Sequence, residues 1–250
     1  MPEYRYPRRR VLRWVMHQLS IPALALFAEV KVLGRENLPE KGPLLVVGNH
    51  FCFLDPVAFV RFSPWPMDFI GAALPPFSPR WGPFFTALWG FHKLYRGTGS
   101  TEALRAGEAI LGQDGVLGVF PEGGSWATIL RPARPGTAYL AARSGAKLLP
   151  VSLYGFTQVF PARLRKRAKP VINIGKPFGP FKVSGRGRER REQLDEIGHM
   201  IMQEIAKLLP EELRGSYSAD PALREAAKEF EAYPWDENPE GQVDSGGLIN

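Results

Sequence analysis

Short apolar runs alternate along this chain with longer amphipathic stretches. Leu44-Leu45-Val46-Val47-Gly48 is apolar without interruption. It is too short for a helix and lacks the alternation of a half-exposed strand, so it predicts a strand buried on both faces. Gly115 to Phe120 and Ala146 to Tyr154 repeat the signal, and further strands are expected at Val30 to Leu33 and Asp68 to Ala72. Between them lie helical stripes. Thr101 to Leu111 turns Leu104, Gly107, Ile110 and Leu111 inward and closes on Gly112, and Arg134 to Ser144 closes on Gly145. Glu189 to Leu209 carries Leu194, Ile197, Ile201, Ile205 and Leu208 on one face. A shorter helix is expected from Pro56 towards Phe62, and a helical signal persists from Ala222 to Phe230 or so. Alternating strands and helices predict an α/β domain with a mostly parallel central sheet flanked by helices.

The two ends read differently. From Val11 to Phe27, Leu12, Val15, Met16, Leu19 and Ala23 fall on one helical stripe, and Arg9, Arg13, His17 and Ser20 interrupt the opposite side. A spanning helix needs roughly 20 consecutive apolar residues, and this stretch is too short and too polar. The segment predicts an N-terminal interfacial helix lying on a bilayer with Trp14 at headgroup level; the alternative is a helix packed on its own domain. From Tyr233 on, Asp, Glu, Gly and Pro predict a disordered acidic tail. The expected organisation is therefore a membrane-surface segment over 1–27, one domain over 28–217, and a helical extension with its tail over 218–250.

Composition narrows the function. Hydrophobic residues make up 44% of the 250 and charged residues 23%, values of a globular chain. The single cysteine, Cys52, excludes an intramolecular disulfide. The four histidines are scattered without metal-ligand spacing, and no phosphate-cradling or dinucleotide fingerprint occurs, so no metal and no cofactor are expected. The formal charge of +7 is concentrated in Arg8-Arg9-Arg10, Arg163 to Lys169, and Arg186 to Arg191. Basic clusters suit nucleic acid or an anionic membrane, but no nucleic-acid module accompanies them, so the membrane surface is the expected partner.

The chemistry centres on Asn49-His50-Phe51-Cys52-Phe53-Leu54-Asp55-Pro56, at the end of the first buried run. A carboxylate this close can hold a histidine in one tautomer with its far nitrogen ready to take a proton. Asp55 could instead cap the helix that follows, with Pro56 in its first turn. Downstream, the second run breaks into Phe120-Pro121-Glu122-Gly123-Gly124, and between the two lies Gly90-Phe91-His92-Lys93-Leu94-Tyr95-Arg96-Gly97.

Together these motifs resemble the glycerolipid acyltransferases of the lysophosphatidic acid acyltransferase type: H-x-x-x-x-D, a glycine-to-arginine block, F-P-E-G, a strand with P-V, and a closing L-P-x-x-x-R-G-x-Y at Leu209 to Tyr217. The resemblance covers about residues 28 to 217 and departs where the family continues F-P-E-G-T-R-S, since this chain has Gly124, Ser125 and Trp126. Lys93 replaces a phenylalanine of the glycine-to-arginine block. Lys93, Arg131 and Arg134 are the cations that could stand in for the missing arginine.

The resemblance implies an O-acyltransferase of phospholipid biosynthesis, peripheral or monotopic on the cytoplasmic face of a membrane. Acyl-CoA or an acyl carrier protein would supply the thioester, and a lysophospholipid, foremost 1-acylglycerol 3-phosphate, would accept the acyl group. His50 would be the general base and Asp55 its orienter. Arg96 would grip the acceptor's phosphate, Glu122 would act on glycerol hydroxyls or orient nearby cations and amides, and Gly123 and Gly124 would leave amides open to the pocket. Glycerol 3-phosphate, another lysophospholipid or an amino-acid lipid remain alternative acceptors. Cys52 is a competing nucleophile. A non-catalytic anionic-lipid or nucleic-acid binding module is the alternative of a different class.

Overall fold

The computed structural model of the chain describes residues 4–72, 88–94, 101–159 and 167–232. Seven strands form one sheet: β1 Lys31–Leu33, β2 Leu44–Gly48, β3 Asp68–Ala72, β4 Phe91–Leu94, β5 Val116–Val119, β6 Lys147–Tyr154 and β7 Val171–Ile174. Their spatial order is β1-β7-β6-β2-β5-β3-β4. Strands β6, β2, β5, β3 and β4 are mutually parallel, β7 runs antiparallel to β6, and β1 is parallel to β7. The sheet is α/β and mostly parallel, as expected. Two strands went unread: β7, whose Val171-Ile172-Asn173-Ile174 is only four residues long, and β4, which lies within the glycine-to-arginine block.

The uninterrupted apolar character of β2 has a direct cause, since every one of its residues is buried. Leu45 and Val47 face one layer with Ile110, Leu140, Ile197, Ile201 and Ile205, while Leu44 and Val46 face the other with Leu24, Ala58, Phe59 and Phe62. The first layer is made by α3 (Thr101–Leu111), α4 (Pro135–Ser144) and α5 (Gly187–Ala206), and the second by α1 (Arg10–Phe27) and α2 (Asp55–Phe62). The predicted helices are therefore present. The longest ends at Ala206, three residues short of the expected Leu209, because the chain tightens there into turns closed by Leu208 N–H to Ile205 C=O and Leu209 N–H to Ala206 C=O. A last helix, α6 (Pro221–Ala227), and a 3-10 turn at Lys228–Phe230 follow the closing motif.

The first helix is present, as expected. No described helix is long and apolar enough to cross a membrane. Yet α1 is packed with its polar side towards the domain. Arg13 is buried and paired with Asp68 at the start of β3, and Asp68 also holds His92 Nε2 at 3.0 Å. The Arg13 guanidinium lies over the Trp89 ring, 5.8 Å from its centre. Beside it the His17 ring is pushed below its ordinary range by burial and by Arg61 of α2. Facing outward are Val11, Trp14, Val15, Leu19 and Leu26, with Val11 76% and Leu19 63% exposed. The polar side of the helix, through Arg13, is the side that holds it to its domain.

Candidate active site

Central β2, between β5 and β6, delivers Asn49 and His50 to the carboxyl end of the parallel strands, where open α/β sheets keep their ligand crevices. Gly48 permits this turn at close quarters: a Cβ there would lie 2.6 Å from the Phe59 ring. Asn49 is fully buried and clamps the turn to β6, its amide donating to Leu153 C=O and its oxygen accepting Leu153 N–H, both at 2.7 Å.

Asp55 is the first residue of α2 but does not cap it. Its carboxylate points back into the loop, where Oδ2 accepts from Phe51 N–H at 2.7 Å, Cys52 N–H at 2.8 Å and His50 Nδ1 at 3.0 Å. An ionised carboxylate only accepts, so Nδ1 carries the proton and Nε2 keeps the lone pair. The His50 ring stacks on Phe120, centroids 4.3 Å apart, and is 18% exposed, while Asp55 is buried. A base with an open edge is thus held by a carboxylate that is shut away from solvent.

Cys52 is a poor nucleophile in this setting. Burial and the Asp55 carboxylate push its thiol well above the usual range, keeping it protonated.

Glu122 closes the site from β5. One of its oxygens accepts His50 N–H at 2.6 Å; the other meets Arg131 through the backbone N–H at 3.2 Å, Nε at 2.9 Å and Nη2 at 2.8 Å. Burial pushes the Glu122 carboxyl up, while Arg131 and the His50 amide pull it back. Arg131 Nη2 also donates to the carbonyls of Gly124 at 2.7 Å and His50 at 3.2 Å. Its guanidinium lies on the Trp126 ring, 3.7 Å from the centre. Glu122 thus contacts one cation and two backbone amides.

His50, Asp55, Glu122, Gly123 and Gly124 therefore converge, with two changes. The Gly123 amide is not left open, since it closes a turn onto Phe120 C=O at 3.1 Å. Arg131, a candidate stand-in for the missing arginine, has its guanidinium buried and engaged by Glu122 and two carbonyls. Lys93 is exposed on β4, with β5 and β3 between it and β2. Arg96 lies outside the described residues. Sequence reasoning missed Asn49, Phe120 and Trp126. Asn49, next to the histidine at a buried strand's end, carried some signal, but Trp126 and Arg131 sit in an irregular segment without periodicity.

Comparison with known proteins places this geometry. A family model described as Acyltransferase matches residues 29–154, half of the chain, from the strand β1 region through β6, and takes in both His50–Asp55 and Phe120–Gly124. The chain belongs to the acyltransferase family. Two relatives of this chain, both named 1-acyl-sn-glycerol-3-phosphate acyltransferase, come from Chlamydomonas reinhardtii and Borreliella burgdorferi. The first is 26% identical over 216 residues, covering 84% of this chain and 61% of the relative; the second is 26% identical over 157 residues, covering 60% and 61%. The chain thus spans about 61% of the length of each relative. The acyltransferase PlsC from Thermotoga maritima, whose crystal structure is described as that of a 1-acyl-sn-glycerophosphate (LPA) acyltransferase, shares the fold. Its TM-score is 0.56 at 23% identity, over 78% of this chain and 81% of that one.

Proposed function

We propose that this acyltransferase moves an acyl group from a thioester, on coenzyme A or an acyl carrier protein, to the hydroxyl of a lysophospholipid, foremost 1-acylglycerol 3-phosphate. The observation that carries the reading is the His50–Asp55 pair, with Nδ1 held at 3.0 Å and the imidazole 18% exposed over a buried carboxylate. The thioester carbonyl is already electrophilic, so the protein's task is to activate the alcohol. His50 Nε2 takes the hydroxyl proton as oxygen attacks the carbonyl, and returns it to the departing thiolate. Asp55 fixes the tautomer and stabilises the imidazolium in between. No protein nucleophile is required, consistent with a thiol at Cys52 that stays protonated. The names of the two relatives support the acceptor, and Arg96, placed by the sequence motif, is its candidate phosphate ligand.

The outward face of α1 supports a membrane surface as the working place. Exposed Val11, Trp14, Val15, Leu19 and Leu26 share the helix surface, and exposed Val57 lies two residues beyond Asp55 on α2, which packs against α1. Insertion of this face into an interface, aided by Arg8, Arg9 and Arg10 on anionic headgroups of the cytoplasmic leaflet, would bring the catalytic loop to its lipid acceptor. The test is incubation with a mixed lysolipid panel and acyl-CoA. Lysophosphatidic acid should gain the mass of the acyl chain with wild type and not with His50→Ala. Transfer by a folded His50→Ala protein would overturn the mechanism, and gain only on uncharged lysolipids would overturn the acceptor.

A further inference from the structure

Glu122 and Arg131 grip both polar groups of one peptide residue. Glu122 takes the His50 N–H at 2.6 Å, and Arg131, paired with Glu122, donates to the His50 carbonyl at 3.2 Å. The imidazole's place above Asp55 therefore depends on where this ion pair sits. The pair is in turn held from behind. Trp126 covers the guanidinium at 3.7 Å, and its Nε1 donates to Phe230 C=O at 3.1 Å, in the 3-10 turn after α6. Leu130 N–H donates to Leu213 C=O at 2.9 Å. Gly215, with φ +50°, abuts the Leu130 carbonyl so closely that no Cβ would fit. The closing motif and the helical extension thus both bear on the residues that place Arg131.

We infer that Arg131 and Trp126 are positioning residues for His50, and that the segment from Leu213 to Phe230 completes their brace. A lone guanidinium on Gly124 and His50 carbonyls would drift with the loop. Stacked on a flat ring and tied to a buried carboxylate, it has one place. The planar fork matters, because Nε and Nη2 meet Glu122 while Nη2 also reaches two carbonyls; a lysine ammonium offers a single point of attachment. This assignment rests on His50 acting as the base.

The experiment measures kcat and both substrates' KM for Trp126→Ala, Trp126→Phe, Arg131→Gln and Arg131→Lys in the full chain, with thermal unfolding and ¹⁵N-histidine NMR of the same proteins. Displacing a reacting group by a fraction of an ångström to an ångström costs up to about a hundredfold. Trp126→Ala and Arg131→Gln should therefore lower kcat about 10- to 100-fold with both KM values held, and should shift the His50 ring resonances. Trp126→Phe, which keeps the flat face, should recover most of the rate, and Arg131→Lys should not. Unchanged kcat and unmoved His50 resonances in folded Trp126→Ala would overturn the inference. So would a rise in acceptor KM alone in Arg131→Gln, which would make Arg131 an acceptor ligand. If Arg131→Gln does not fold, Trp126→Ala decides by itself. Should His50→Ala retain transfer, the functional reading falls and the NMR arm alone judges the brace: shifted resonances in Trp126→Ala support it, unmoved ones overturn it.

Discussion

Replacing Asp55 by asparagine separates what the carboxylate does for the fold from what it does for His50. Two backbone N–H groups, from Phe51 and Cys52, point at Oδ2 at 2.7 and 2.8 Å. They force an asparagine to present its oxygen at that place, since its amino group would face two donors. The His50 Nδ1 proton then still meets an acceptor, and the tautomer is kept. What is lost is the charge that stabilises the imidazolium. A charge-assisted hydrogen bond is worth about 1.5–3 kcal/mol against about 0.5–1.5 for a neutral one. The direct attraction between unit charges about 4 Å apart is about 4 kcal/mol at an effective dielectric of about 20. With Asp55 at 1% exposure, solvent does little to screen the pair. The loss should fall between about 1 and 4 kcal/mol, or about 5- to 10³-fold in kcat. Asp55→Ala behaves differently, because it strands two buried N–H groups at about 1–3 kcal/mol each and so unfolds the loop as well. The assay is kcat with urea unfolding on both variants. A folded Asp55→Asn protein with near wild-type kcat would refute the role, and an Asn variant as unstable as the Ala one would refute the oxygen-inward geometry.

Three other outcomes follow from contacts already described. Cys52→Ser should retain activity, and Cys52 should resist iodoacetamide at neutral pH because burial and Asp55 hold its thiol protonated; an acyl group trapped on Cys52 by mass spectrometry would contradict this. Leu19→Glu, on the 63%-exposed outer face of α1, should leave the unfolding midpoint in place and weaken co-sedimentation with anionic vesicles. A buried leucine is worth about 1.5–3 kcal/mol, so the loss should be about ten- to a hundredfold in partitioning. Asp68→Asn should cost about 3–5 kcal/mol in urea unfolding, because Arg13 would remain buried without its counter-charge.

The parts of the fold legible from sequence were those where one local rule decides. Leu44 to Gly48 had to be a doubly buried strand, and its following histidine had to emerge at a sheet edge. Strand β7 was hidden because four residues give too little period to tell from a loop, and its place beside β6 is fixed by pairing distant in sequence, Tyr154 with Val171 and Val151 with Ile174. The His50–Asp55 pair was legible because its members are neighbours along the chain. Arg131 was visible only as a spare cation: its partners, Glu122, His50 and Trp126, come together through the tertiary fold, and nothing in Leu130-Arg131-Pro132 says which of them it will meet.

Helix α1 exposes a more general limit. Periodicity states that two faces of a helix differ; it does not state which face is inward. The usual assignment assumes water outside, so the apolar stripe is turned to the core. Here the assumption inverts, and the structure carries the reason. An arginine at position 13 meets Asp68, itself shared with His92 of β4, and a buried acid can draw a cation into the domain. With Arg13 and His17 fixed inward, geometry leaves Val11, Trp14, Val15 and Leu19 no direction but out. An outward apolar face is costly in water and favourable against lipid. Asp68 at the start of β3, far along the sequence from α1, is thus what turns the helix's apolar side to the surroundings.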